Sequence, residues 1–330
     1  MKLKKGIALG LCLTLFASMA LGSGSGGNNG TDKEISSVEN AQTEEGNTEE
    51  EKTEEEKTEG TESDQTDKPA DSDVSGGSET GKIETVTVEE TVLLDQDDVK
   101  ITMTGMEDGM FGPELKLLIE NNSDQSLTFQ VRDASVNGFM ADTMMSADVA
   151  SGKKANDEIT FAARGLKDCG IDVFTEMEFK FHIFKSDDWE TYLDTEVIRV
   201  ETSAYGNYNQ EIDDSGEVFY DKDGIKIIGK GLSDDNSIFG PGLIVYIENN
   251  SDKDFTVQVR DTSINGFMVD TTMSEDVLVG KRALTVVTFF SRSLEDNGIT
   301  DIESVETSFH VFDKDTWTTI VDTDPITINF

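Results

Sequence analysis

The chain is written twice. From Phe111 to Val200 the sequence recurs 128 positions later without a gap, and about half of the positions are identical. Phe111-Gly-Pro113 returns as Phe239-Gly-Pro241, and Ile119-Glu-Asn-Asn-Ser-Asp124 as Ile247 to Asp252. Val131-Arg-Asp133 returns as Val259 to Asp261, and Asn137-Gly-Phe-Met140 as Asn265 to Met268. Phe181-His182, Trp189 and Asp194-Thr195 have their mates in Phe309-His310, Trp317 and Asp322-Thr323. A match this long constrains the fold before any element is assigned: one unit is built in two copies. Before Phe111 the offset falls to 126, because the second copy carries two extra residues in Ser233-Asp-Asp-Asn236. The copies span 86–203 and 211–330, joined by 204–210. So short a joint makes the two units touch or holds them at a restricted angle.

Each copy reads as antiparallel β-structure. Val99 to Met103 alternates, as does Ile225 to Ile228. Leu127, Phe129 and Val131 face one way and Thr128, Gln130 and Arg132 the other, the pattern of a half-buried strand. Met177, Phe179, Phe181 and Ile183 mark the longest strand. Asn137-Gly138 is the strongest short hairpin signal, a two-residue type I′ turn. Asn121-Asn-Ser-Asp124 and Gly152-Lys153 are further turns, and a strand is expected near Tyr192 to Val200. The one helical piece per copy is short, Leu166 to Cys169 and Leu294 to Asn297, each ended by Gly. Seven or eight short strands in about 110 residues predict a β-sandwich of immunoglobulin-like architecture.

These motifs also carry a resemblance. The run Ile-Glu-Asn-Asn-Ser-Asp after an apolar strand, then Asn-Gly-Phe-Met, then the Gly-Lys turn, resembles immunoglobulin-like domains of unknown function in Firmicutes surface lipoproteins. The layout is similar too: export signal, acidic Ser/Thr/Glu spacer, sandwich domains. The resemblance spans both copies and implies a fold and a Gram-positive envelope address, with no catalytic residues.

Upstream of the repeats the sequence gives an address. Lys2, Lys4 and Lys5 precede the uncharged apolar run Gly6 to Leu21, as in a signal peptide over 1–22. A lipoprotein needs a Cys at the new N-terminus; Ser23 and Ser25 stand there, and Cys12 lies inside the apolar run. Free secretion, or retention at the membrane through the export signal, is therefore expected, with an unusual lipid anchor as the alternative. Residues 23–85 contain no aromatic side chain, and between Thr31 and Thr85 stand 19 acidic and 5 basic residues. Such a segment buries too little apolar surface to offset chain entropy and is expected to be a disordered, extended linker.

The whole chain has 68 Asp and Glu against 27 Lys and Arg, a formal net charge of -41. That balance excludes a nucleic-acid binder, whose affinity comes from cations on phosphates, and a basic membrane-surface patch. The 2 Cys and 2 His of the chain exclude a disulfide scaffold and a Cys-based zinc site.

The duplication is an internal control on chemistry, because a site made by the fold unit must occur twice. His182 and His310 do, but each lacks a second His to complete a hydrolytic triad. Glu178 and Glu306 lie four residues away on the same strand, about 13 Å off, too far to share a proton or a metal. Asp221-Lys-Asp-Gly224 lacks the Glu that a calcium loop needs at its twelfth position and reads as a tight turn. A looser calcium site is open at Asp234 and Asp235. Arg132-Asp133 and Arg260-Asp261 are expected to form local surface pairs. Trp189 and Trp317 follow the long strand. Such a corner Trp ordinarily plugs the end of a sandwich, whereas a displayed ring stacks on a sugar. Phe139, Met140, Phe267 and Met268 follow the hairpin turns; they fill the core or, if exposed, form an adaptable apolar edge for a protein partner. Cys169 aligns with Asn297, so the fold does not require a thiol there. The expectation is a non-catalytic binding or scaffold protein of the cell envelope, not an enzyme. It needs no cofactor unless calcium binds, and it engages a cell-surface protein or a cell-wall component. The alternative is a carbohydrate-binding accessory protein that uses the loop Trp residues.

Overall fold

The computed structural model describes residues 83–84, 86–233 and 239–330, which belong to one compact unit. The export signal expected at 1–22, nearly all of the linker expected at 23–85 and the calcium candidates Asp234 and Asp235 lie outside the described residues. Among the described residues no helix is long and apolar enough to cross a membrane.

Repeat 1 contains β1 (Thr91–Gln96), β2 (Val99–Asp108), β3 (Pro113–Asn121), β4 (Leu127–Val136), β5 (Phe139–Met140) and β6 (Thr143–Met144). It continues through β7 (Ser146–Val149), β8 (Lys153–Phe161), α1 (Ala163–Asp168), β9 (Glu176–Lys185), β10 (Thr191–Asp194) and β11 (Ile198–Glu201). Repeat 2 reproduces the series as β12 (Glu217–Lys222), β13 (Ile225–Leu232), β14 (Gly242–Asn249), β15 (Phe255–Ile264), β16 (Phe267–Met268) and β17 (Thr271–Thr272). It ends with β18 (Ser274–Val277), β19 (Arg282–Phe289), α2 (Ser291–Asp296), β20 (Ser304–Asp313), β21 (Thr319–Asp322) and β22 (Ile326–Asn329).

Within each repeat all strand pairs are antiparallel and fall into two sheets. One sheet runs β1-β2-β3-β8-β6; the other runs β10-β9-β4, with β5, β7 and β11 on its edges. Repeat 2 matches this with β12-β13-β14-β19-β17 and β21-β20-β15, the latter edged by β16, β18 and β22. Alternation decides what lies between the sheets. Leu115, Leu117 and Ile119 of β3 meet Phe129 of β4 and Phe179, Phe181 and Ile183 of β9 in one fully buried core. Each buried Phe contributes roughly 2–3 kcal/mol. Leu243, Val245 and Ile247 meet Phe255, Val257 and Phe309 in the other. The chain is therefore all-β and sandwich-like.

The repeated turn signals have physical causes. Asn137 and Gly138 sit at φ 50° and 82°, and Asn265 and Gly266 at 52° and 84°, as a type I′ hairpin demands. The Asn121 side chain is fully buried. Its Nδ2 donates to the carbonyls of Gln125 and Val149 at 2.8 Å, and its Oδ1 accepts from the Ser123 N–H and hydroxyl. Asn249 repeats the clamp. In Phe-Gly-Pro, a Cβ on Gly112 would stand 1.9 Å from the Phe161 carbonyl oxygen, so only glycine fits.

Some expectations change. The folded part begins before residue 86: Ile83 is in the core and the Glu84 N–H donates to Asp172 O at 2.7 Å. A strand also precedes Val99, because Asp97-Asp98 forms a tight positive-φ turn after β1, as Asp223-Gly224 does after β12. The strand expected from Tyr192 to Val200 is two strands, β10 and β11, and each helix starts about three residues earlier than expected.

The repeats touch. The hairpin at β5 seats on β19: Arg282 N–H donates to Gly138 O at 2.9 Å, and one parallel bridge pairs Arg282 with Phe139. Phe139 is 3 % exposed, and Met140 packs on the core of repeat 2. Ile228 and Tyr246 of repeat 2 belong to the apolar cluster of repeat 1, with Leu284 against it. Lys281 bonds Glu178 at 2.6 Å, and Lys314 bonds Asp133. The local Arg132-Asp133 pair is thus replaced. Asp133 sits at φ 56° in a bulge of β4 and faces Lys180 and Lys314 instead. Burial pushes its carboxyl up, but the two lysines outweigh that and hold it below the ordinary range.

The same seam holds a carboxyl that ionises late. Burial first, then Asp142 of repeat 1, push Glu275 up to about 8; Asp276 adds to the push and the Thr285 hydroxyl opposes it. Cys169 beside it is pushed up to about 12, by burial first and then by Asp168 and Glu275. Between the ordinary glutamate value of 4.5 and about 8, the folded chain holds a Glu275 proton that the unfolded chain releases. Stability therefore falls as pH rises through that window. Glu275→Gln is expected to unfold like the parent near the lower limit. It should gain a widening margin toward the upper one, about 2 kcal/mol once the side chain's partial solvent access is allowed for. Thermal unfolding across pH checks this, and a margin independent of pH contradicts it.

Candidate functional site

The features that recur in both repeats and face solvent lie on the turn after the long strand. On β9, Phe179, Phe181 and Ile183 point into the core, so His182 and Phe184 point out. The turn from Lys185 to Glu190 is closed by Lys185 N–H to Glu190 O at 2.9 Å and Trp189 N–H to Lys185 O at 3.0 Å. This closure places Trp189 at φ 64°, a conformation that costs a bulky L-residue about 1–2 kcal/mol. Trp317 repeats it at φ 59°.

That backbone turns the indole back over the strand. Trp189 stacks on Phe184 with centroids 5.3 Å apart and planes at 17°; Trp317 stacks on Phe312 at 5.5 Å and 16°. The phenylalanines are buried beneath, while both tryptophans are 74 % exposed. The expected plug at the sandwich end is therefore corrected. Each ring lies flat on the outside of its sheet, one face on Phe and the other toward solvent. His182 and His310 extend each row, tilted against the Phe rings at 5.3 and 5.2 Å.

Each His has a partner. His182 Nδ1 bonds Asp194 Oδ1 at 2.5 Å, and His310 Nδ1 bonds Asp322 Oδ1 at 2.6 Å. The aspartates are exposed, so each platform is edged by a carboxylate. The adjoining Thr195 and Thr323 hydroxyls accept the Phe181 and Phe309 N–H groups at 2.9 Å. Among the described residues no Ser, Thr or Cys side chain extends the His–Asp pair, and no three acidic, His or Cys side chains converge as a metal group. An apolar disc edged by hydrogen-bonding groups can stack on the C–H face of a ring and bond its rim.

The hairpin residues divide. Phe139 and Met140 lie in the seam between repeats, whereas Phe267 is 51 % and Met268 64 % exposed. Residues missed at the sequence level are Phe184 and Phe312, which carry the indoles, and Asp194 and Asp322, which hold the imidazoles. The aspartates were visible as a repeated Asp-Thr, but their pairing across the β9–β10 hairpin depends on a register shift between Thr191 and Leu193.

No family model and no curated protein matches the chain. Among solved structures it is similar to the YadV chaperone, at 11 % identity and a TM-score of 0.22, over 71 % of this chain and 100 % of that one.

Proposed function

We propose that this chain is a non-catalytic extracytoplasmic binding or scaffold protein of a bacterial cell envelope, in which two immunoglobulin-like sandwiches stand on an acidic tether behind an export signal. The carrying observation is the pair of tryptophans, both 74 % exposed and both held at positive φ. A strained backbone that displays a large apolar ring is accounted for by use of that ring. The ligand chemistry that fits is a pyranose of wall glycan, its C–H face on the indole and its hydroxyls on the rim carboxylates. Two platforms on one chain raise avidity on a polymeric ligand without any new contact. The resemblance to surface-lipoprotein domains supports the address.

Tryptophan fluorescence tests this reading. Soluble wall glycan fragments are expected to shift the emission of the full chain saturably, and Trp189→Ala/Trp317→Ala to show no binding by calorimetry. Unaltered emission at saturating glycan sinks the sugar ligand.

A further inference from the structure

Two hairpins of nearly identical sequence meet different fates. In repeat 1, Asn137-Gly-Phe-Met140 is covered by repeat 2, with Glu178 and Asp133 beside it bonded to Lys281 and Lys314. Repeat 2 keeps every element of this donor set: Asp261, Asn265-Gly-Phe-Met268 and Glu306. There Asp261, Phe267, Met268 and Glu306 are all exposed. The hairpin is held firmly, since Asn265 Nδ2 donates to Asp301 O at 2.8 Å and its Oδ1 accepts from the Glu303 and Ser304 N–H groups.

The covered hairpin shows what such a surface binds. Its receptor is the outer face of β13-β14-β19, where Ile228, Tyr246 and Leu284 form one cross-strand row and Ile244 and Val286 another pair. Lys281, Arg282 and Lys314 flank it. The matching face of repeat 1 carries Thr102, Leu118 and Asn156 in the first row, and Lys116 with Glu158 in the second. Thus one repeat has an apolar receptor, already filled by its neighbour, and the other has a polar face. Neither offers the free hairpin a seat in a second copy.

We infer that the Phe267–Met268 hairpin is a docking site for a different protein: an antiparallel sheet face with an apolar centre and flanking lysines, held as repeat 2 holds repeat 1. Charge agrees with this occupant, because Asp261 and Glu306 stand where Asp133 and Glu178 take lysines. The inference goes beyond the glycan reading and does not use Trp189 or Trp317, so either can fail alone.

The full chain supplies the probe, because unseating repeat 1 frees a receptor of this chemistry. Light scattering coupled to gel filtration reads the outcome. The parent is expected to be monomeric. Phe139→Glu is expected to at least double in mass, as the free hairpin of one chain fills the vacated face of another, and Phe139→Glu/Phe267→Glu to return to monomer. Glu178→Lys, which sets a lysine against Lys281 and leaves the buried apolar side chains intact, repeats the test should Phe139→Glu misfold. Native-like monomers of both unseated variants overturn the inference. Association that survives Phe267→Glu overturns it too, because the bare sheet is then adhesive by itself. Self-association of the parent that Phe267→Glu abolishes also overturns it, and makes the occupant a second copy.

Discussion

Asn249→Ala is expected to destabilise repeat 2 by about 3–4 kcal/mol, a large share of the roughly 5–15 kcal/mol that holds a domain together. The fully buried amide donates to Lys253 O and Val277 O and accepts from the Ser251 N–H and hydroxyl. It ties the crossover from β14 to β15 to the end of β18. Alanine fills none of these bonds and leaves the buried Val277 carbonyl without its donor. Asn121→Ala is expected to act alike in repeat 1. Asn250→Ala, at the exposed neighbour, is expected to stay within about 0.5 kcal/mol of the parent. Denaturant unfolding measures all three. An Asn249→Ala loss no larger than that of Asn250→Ala contradicts the clamp.

These asparagines mark how far the sequence can be read. The Asn-Asn-Ser-Asp string is legible as a turn, and Asn-Gly as a type I′ hairpin, because local backbone demands choose those residues. Burial is not local, so nothing in the string says that one Asn faces the core and the next faces water. Trp189 and Trp317 misled for the same reason: their exposure follows from a positive φ imposed by the turn closure, which composition does not report. The different fates of Phe139 and Phe267 lie outside their own segments, which both read Asn-Gly-Phe-Met. The signal was elsewhere in the alignment of the two copies. Outward positions change from Thr102 to Ile228, Lys116 to Ile244, Asn156 to Leu284 and Glu158 to Val286. Four polar-to-apolar changes on one face mean a covered sheet, and they are visible once the strand register is known.

The other large expected effect falls on binding. Losing one indole removes a stacking face worth about 2 kcal/mol, close to 30-fold in affinity, as at other Trp-centred contacts. Losing both removes the avidity as well, so Trp189→Ala/Trp317→Ala is expected to fall to background on a polymeric ligand. Fold stability is expected to fall by about 0.5–1.5 kcal/mol per alanine, the worth of the lost aromatic pairing. Alanine keeps the unfavourable φ and gives up the stack on Phe184 or Phe312. Trp189→Gly/Trp317→Gly relieves about 1–2 kcal/mol of backbone strain per site, against about 0.5–1.5 kcal/mol of lost aromatic pairing. The glycine pair is therefore the cleaner variant: native or higher melting temperature, no ring to bind with.

The most direct measurement is co-sedimentation of the full chain with isolated Gram-positive cell wall, across a concentration series, for the parent and Trp189→Gly/Trp317→Gly. Saturable binding is expected of the parent, and none of a glycine variant of unchanged melting temperature. Equal binding by the two contradicts that expectation, because the displayed tryptophans would then have no part in what the protein holds.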